Sequence, residues 1–265
     1  MKLSKISIFS LVLGYTFLYI PLILVILFSF NVDQNIFSWG GFSTKWYVAL
    51  TQNESIIDGV LNSLKIAFIS ATSSTIIGTL AAVALVRVRT FPFKRTFENL
   101  SIVPFVLPDV ITGLSLLLFF VGVHNLFGVD ISTGMITISI AHTTIGMAYV
   151  IVVVKARLLE LDESIDEAAM DLGAKPTQIF YYITLPMLLP ACVSGWFLSF
   201  AISLDDVVIA SFLSSPDSTT LPMVIFSTIR LGGITPQINA LSTLMLLLTL
   251  IIIVIGAWIS KRRIS

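Results

Sequence analysis

Long apolar runs alternate with short polar stretches along the chain, at about 6–30, 60–86, 100–123, 134–154, 187–213 and 238–260. A helix needs about 20 apolar residues to cross a hydrocarbon core of ~30 Å, and all six runs are that long. We therefore predict an all-α, polytopic membrane protein with six transmembrane helices. The first run is longer than the ~7–15 apolar residues of a signal peptide, so we expect it to be retained as a span.

Basic residues divide unequally between the two sides of this arrangement. Twelve lie on one side and three on the other: Lys2, Lys5, Arg87, Arg89, Lys94, Arg95, Lys155, Arg157, Lys175, Lys261, Arg262 and Arg263 against Lys45, Lys65 and Arg230. Lys and Arg close to span ends stay cytoplasmic, which predicts that both termini are in the cytoplasm. The outer connections are then about 31–59, 124–133 and 214–237, and the inner ones about 87–99 and 155–186.

Composition supports this class and excludes others. The chain is 56% hydrophobic and 11% charged, whereas soluble proteins have about 25% charged residues. Its formal charge of zero provides no general basic surface for nucleic acid. Outside the spans too few residues remain for a soluble domain, so we expect residues 1–265 to be one transmembrane domain.

The chain also lacks sequence motifs of the common catalytic and nucleotide-binding sites. It has no G-x-x-x-x-G-K-[ST] phosphate loop, no H-E-x-x-H pair and no G-x-S-x-G elbow. Cys192 is the single cysteine, so neither an internal disulfide nor a cysteine-rich metal site is predicted. We expect no catalytic residues, no metal site and no cofactor in this chain.

Two spans carry signs of a role beyond anchoring. The second is rich in small residues that let helix backbones approach closely: Ala71, Ser73, Ser74, Thr75, Gly78, Ala81, Ala82 and Ala84. We predict that this helix is buried in a bundle. In the third span, Pro104 and Pro108 break the helix early, and broken helices at membrane depth usually line a cavity.

Three carboxylates lie within the predicted spans: Asp109 in the third, and Asp205 and Asp206 in the fifth. Each costs about 2.5–3.5 kcal/mol near hydrocarbon, which favours a cavity that stabilises a cation. Adjacent helical residues point about 100° apart, so we expect only one of Asp205 and Asp206 to face the ligand. Pairing of an acid with Lys65, or capping of an unwound turn, is the structural alternative.

Two other side chains have open interpretations. Trp46, in the first outer loop, offers an aromatic face to an ammonium group or a docked protein, and equally suits anchoring at the membrane interface. His142, in the fourth span, is compatible with a proton relay or a ligand, although we favour a hydrogen-bonded structural histidine.

The inner connection at about 155–186 has a helical pattern of its own. Asp162 begins it as a capping residue, acidic residues fill its first turns, Gly173 ends it, and a second short helix is predicted from Pro176. From these features alone, a partner-docking segment and an amphipathic hairpin on the membrane surface are equally supported.

The spacing within this connection resembles a known motif. Glu167-Ala168-Ala169, three residues, Gly173, nine residues, Ile183, one residue and Leu185-Pro186 match every fixed position of the EAA motif. This motif is typical of the binding-protein-dependent permeases of ATP-binding-cassette importers. The resemblance implies the type I importer permease (MetI-like) fold and an inner-membrane location. It also implies that Glu167, Ala168, Ala169 and Gly173 form a coupling helix.

The same resemblance implies the other subunits of such a transporter. A separate ATPase dimer would bind ATP and Mg²⁺, and a second, homologous permease and an extracytoplasmic binding protein would complete the assembly. Pairing of two copies of this chain is the alternative to a second permease.

Three shorter stretches resemble the spermidine/putrescine permeases of this family: residues 42–47, 108–109 and 196–208. They imply an importer of polyamines. The implied substrate pathway contains Trp46, Asp109, Ser203, Asp205 and Asp206. The alternatives are a permease for ferric iron, another metal or an oxyanion, and an ion-coupled secondary transporter.

Overall fold

The computed structural model describes residues 5–34, 38–88, 90–129, 131–162, 164–248 and 250. Its helices are α1 (Lys5–Phe28), α2 (Lys45–Thr51), α3 (Glu54–Arg87), α4 (Lys94–Val106), α5 (Asp109–Phe127), α6 (Met135–Glu160), α7 (Ser164–Asp171), α8 (Pro176–Ile179), α9 (Leu185–Asp205), α10 (Val208–Leu213), α11 (Leu221–Gly232) and α12 (Pro236–Leu248). A π-helical turn at Phe180–Thr184 joins α8 to α9, and a 3-10 turn spans Pro216–Ser218. The predicted all-α class is confirmed: the described residues form only one isolated β-bridge, Asn31 to Phe42.

Within the described residues, five helices have the length and hydropathy needed to cross a membrane: Ser7–Phe28, Glu54–Arg87, Asp109–Phe127, Met135–Glu160 and Pro176–Asp205. Of the sixth predicted span, the described residues include the shorter apolar helix α12, and residues 251–260 lie outside them. The chain divides into two compact units, residues 1–57 with 225–265, and residues 58–224.

The predicted burial of the second span is confirmed in α3. Ala71, Ser74 and Ala82 are fully buried. A Cβ atom added to Gly78 would lie 2.8 Å from Cβ of Val150 on α6. The small residues of α3 therefore allow the close helix approach that the sequence predicts.

Helices α6 and α9 pack antiparallel to each other within the unit formed by residues 58–224. Along the seam, His142 faces Ser203, and a Cβ atom on Gly146 would overlap the Ser199 hydroxyl. A Cβ atom on Gly195 would lie 3.3 Å from Val150. Each glycine of this seam thus packs against a side chain of the other helix. A larger residue in place of Gly146 or Gly195 would crowd that side chain.

The break predicted in the third span is present at Pro108 but not at Pro104, which lies inside α4. Leu107 has an extended backbone (ψ 139°), α4 ends before it and α5 begins at Asp109. Pro108 causes the break because its ring disfavours the α conformation of the preceding residue. Helix α4 begins at Lys94, inside the stretch predicted as an inner connection.

The fifth predicted span differs from expectation at both ends. After α9 ends at Asp205, Asp206 is extended (φ −71°, ψ 128°) and α10 starts at Val208, so the span is interrupted. At the other end the helix runs without a gap from Pro176. Its π-helical turn has Leu185 donating to the Phe180 carbonyl, next to Pro186, which has no N–H to donate to the regular α-helical register.

Candidate functional site

A cavity of about 340 Å³ opens between the broken third span, α6, and the α9–α10 break. Asp109, Ser203, Asp205 and Asp206 all line it. The fold therefore brings together four of the five residues predicted for the substrate pathway, although Asp109 and Asp206 are 97 residues apart in the sequence. Pro104 and Phe105 of α4 also contribute to the wall.

Asp206 is held by three donors. Its Oδ2 accepts from the backbone N–H of Ala210 at 2.8 Å and lies 3.2 Å from Nε2 of His142, and its Oδ1 accepts from the N–H of Ile209 at 3.3 Å. The carboxylate thus caps the first turn of α10, as a residue at a helix start does. Of the alternatives raised from sequence, capping of an unwound turn describes Asp206, and its side-chain partner is His142 rather than Lys65.

His142 joins the two ends of this network. Its Nδ1 lies 2.7 Å from the Ser203 hydroxyl while its Nε2 contacts Asp206. Both His142 and Ser203 are buried. The favoured interpretation of a hydrogen-bonded histidine is confirmed. Its place in the cavity wall has no signal in the sequence, because its partners Ser203 and Asp206 are 61 and 64 residues away.

Asp109 and Asp205 differ from Asp206. Both are exposed at the cavity, and within the described part of the chain neither carboxylate has an ion-pair or hydrogen-bond partner. Phe105 and Tyr149 add an aromatic edge-to-face pair to the wall, with ring centroids 4.8 Å apart. Carboxylates and aromatic faces are the groups that stabilise an ammonium ion.

Trp46 lies in the other unit and is not among the cavity-lining residues. Its indole Nε1 donates to the Asn31 carbonyl at 2.7 Å, and Nζ of Lys45 is 4.6 Å from the ring centroid. The indole is therefore held within its own folded loop, with a cation already over its face.

The predicted coupling residues lie on α7 and the turn after it. Glu167 and Ala168 are exposed and Ala169 is half-buried. Gly173 has φ +84°, and it donates to Met170 O at 2.9 Å while Ala174 donates to Ala169 O at 3.0 Å. These two bonds form a Schellman motif, whose left-handed position favours glycine.

Helix α7 is attached at its start and on one side. The N–H of Ser164 donates to Asp162 Oδ1 at 2.9 Å, and this bond holds the pKa of Asp162 below its usual range. Arg87, at the end of α3, pairs with Asp166 through Nε and Oδ2 at 3.2 Å. No residue of α7 is buried, and Leu172 is 90% exposed. Such a segment presents its apolar side chains outward.

A metal site has no support in the described residues, where no three His, Cys, Asp or Glu side chains are placed to hold an ion.

Comparisons with known proteins agree with these features. Residues 74–264 match the family described as "Binding-protein-dependent transport system inner membrane component". The chain is 51% identical to the putrescine transport system permease protein PotI of Escherichia coli K12, over 89% of this chain and 84% of that one. It is 42% identical to the spermidine/putrescine transport system permease protein PotC of Haemophilus influenzae, over 94% of each.

The fold is also found in a solved structure. A chain of a bacterial ABC transporter involved in the import of the acidic polysaccharide alginate is similar with a TM-score of 0.72, at 17% identity, over 97% of this chain and 93% of that chain.

Proposed function

Because the chain belongs to the family of binding-protein-dependent transport system inner membrane components, we propose that its cavity passes a polyamine across the membrane. The chain is a multi-pass permease subunit of an importer and not an enzyme. The observation that carries the choice of substrate is the pair of carboxylates Asp109 and Asp205, which lie in the wall of one cavity and have no partner among the described residues. The names of the PotI and PotC relatives support the same choice.

The charge in the cavity favours a cation over an anion. Three carboxylates line the wall, and no Lys or Arg does so among the described residues, whereas an oxyanion is typically bound by basic side chains. The N–H groups of Ile209 and Ala210 in the first turn of α10 are already bound by Asp206. A polyamine supplies ammonium groups that replace the missing countercharge, and its methylene chain suits the apolar wall of Phe105, Ile145 and Ile202. A metal ion is disfavoured because its ligands are not gathered among the described residues.

Transport also requires partners, and α7 supports one of them. We infer that the exposed face of α7 with Gly173 docks on a separate ATPase, which binds ATP and Mg²⁺, while a second permease and an extracytoplasmic binding protein complete the transporter. The outward-facing Met170 and Leu172 offer apolar contacts to the ATPase.

This arrangement requires α7 in the cytoplasm, with both termini on the same side. Thiol labelling tests it: Leu172→Cys should react with a membrane-impermeant maleimide only after spheroplasts are opened, and Asp217→Cys should react in intact ones. The native Cys192 is buried, so the unaltered chain serves as the background. Labelling of Leu172→Cys in intact spheroplasts would contradict the orientation.

Uptake of labelled putrescine in cells without other polyamine importers tests the function. Asp205→Asn keeps the volume and removes the charge, and loss of one partner of a desolvated charge pair costs about 2–5 kcal/mol, so uptake at limiting substrate should fall by tens-fold. Asp217→Asn is the matched control, since Asp217 is exposed and outside the cavity wall. Normal uptake by Asp205→Asn at normal abundance would contradict the proposal.

A further inference from the structure

The three acids of the cavity are not equivalent, and the difference lies in their hydrogen bonds. Asp206 accepts from two backbone N–H groups and contacts Nε2 of His142. A carboxylate has about four lone-pair positions, so three of those on Asp206 are occupied. Asp109 and Asp205 have none occupied by a described residue.

The His142 side chain cannot turn away from Asp206 without cost. Its other nitrogen is bound to the Ser203 hydroxyl at 2.7 Å, and His142 is only 4% exposed. Both hydrogen bonds lie at the seam between α6 and α9, where close packing fixes the ring. A buried polar group that loses its hydrogen-bond partner destabilises the folded state, which keeps the imidazole in this orientation.

We propose that His142 is a positioning residue that, together with Ser203, fixes Asp206 in the cap of α10 and withdraws it from the ligand, so that the cavity binds one ammonium group at Asp109 and one at Asp205. This inference rests on the proposed function and narrows it to two-point recognition of a dication, that is, a diamine. Among the described residues of this wall, a third ammonium group finds no open carboxylate.

The arrangement makes different predictions for chemically identical changes. Asp109→Asn and Asp205→Asn each remove a contact with an ammonium group, so each should lower putrescine uptake at least about tenfold. Asp206→Asn should lower it less than about threefold, because an Asn oxygen still caps α10. Placed where Oδ2 lies, that oxygen accepts from the Ala210 N–H and keeps its contact with Nε2 of His142, so only the longer bond from the Ile209 N–H, at 3.3 Å, is lost.

His142 itself is tested by selectivity. In His142→Ala the lone pair of Asp206 Oδ2 that faces Nε2 is released, so uptake of spermidine, a triamine, relative to that of putrescine should rise about threefold or more. His142→Gln retains an N–H donor for Asp206 and should keep the ratio of the unaltered protein. Dividing each variant's uptake by that of the unaltered transporter cancels the preference of the binding protein, which is the same throughout.

The experiment measures uptake of labelled putrescine and spermidine by the complete transporter, with permease abundance determined by immunoblot and Asp217→Asn as control. If Asp206→Asn loses as much uptake as Asp205→Asn, or if His142→Ala at normal abundance leaves the ratio unchanged, the inference is wrong while polyamine transport stands. If the unaltered transporter moves neither amine, the proposed function fails, and this inference with it.

Discussion

The α9–α10 break in the cavity wall and the α7 segment satisfy their backbone polar groups in different ways. At the break, Asp206 receives the freed N–H groups of Ile209 and Ala210, and a buried histidine supports it. In α7 the hydrogen bonds close a short helix on itself, while the apolar side chains point outward. The first site is shaped by its own chain, whereas the second has a surface that suits a partner.

The largest effect is expected where the shape of the cavity wall is set. Gly146→Val should prevent accumulation of the folded permease, because any Cβ at this position overlaps Ser199 and would lie 2.5 Å from Ser74 Oγ. Overpacking costs about 1–3 kcal/mol even for small additions. Gly122→Val is the control, since no heavy atom lies within 4 Å of a Cβ there. Equal abundance of the two variants on immunoblots would show that the seam is not tightly packed.

A smaller effect, on coupling and not on folding, is expected at Gly173. Gly173→Leu should lower ATPase co-purification and uptake together by about tenfold, because a left-handed conformation costs a residue with a Cβ roughly 1–2 kcal/mol and distorts the turn. Asn tolerates this conformation better, so Gly173→Asn should retain more of both. If Gly173→Leu still binds the ATPase and imports at the normal rate, the segment is not the coupling element.

The pair of Arg87 and Asp166 should matter less. Asp166→Asn weakens a partly buried ion pair between the end of α3 and α7, and such a pair contributes up to about 1 kcal/mol. Uptake should fall severalfold at unchanged abundance. Restoration of uptake by the exchange of Arg87→Asp with Asp166→Arg, relative to either single change, would show that the contact and not the charge count is responsible. Failure of the exchange to restore it would contradict this link.

The smallest effect concerns pH. A hydrogen bond from Lys155 on α6 lowers the pKa of Glu98 on α4, so the ionised pair stabilises the folded state above the ordinary pKa of glutamate and is lost as the pH falls through the lowered value. Because both side chains are about one-third exposed, the contribution is under about 1 kcal/mol. Thermal unfolding of the purified permease in detergent should show Glu98→Gln less stable near pH 7, with the difference vanishing in acid. A constant difference would contradict this.

The sequence predicts the break before Asp109 but not the one after Asp205, and the reason is physical. Pro108 forces the first break locally, whatever surrounds it. The second contains no proline or glycine, and it is stabilised by His142, which lies on another helix. Local patterns cannot reveal a partner that is 64 residues away.

The candidate sites show the same division. The sequence predicts that Asp109, Asp205 and Asp206 belong to the site, because a charge in an apolar run is costly wherever it lies. It does not predict their unequal hydrogen bonding, because that depends on tertiary contacts. The α7 segment, in contrast, was recognisable in detail because its signals, a capping Asp162 and a terminating Gly173, act within a few residues. Trp46 is predicted from its aromatic type and from the resemblance of residues 42–47, and its bond to Asn31 has no signal in the sequence.

The π-helical turn at Phe180–Thr184 sets the rotational phase between the α7 side of the chain and the cavity helix. A π-helical turn contains one residue more than the α-helical turn it replaces, so every residue before it is rotated by about 100° relative to an uninterrupted α-helix. The direction in which α8 faces is therefore offset by about 100° from the direction it would have if an uninterrupted α-helix continued from α9. Deleting one residue of this turn would keep the helix continuous but would rotate the segment formed by α7 and α8 by about 100° relative to the cavity helix α9.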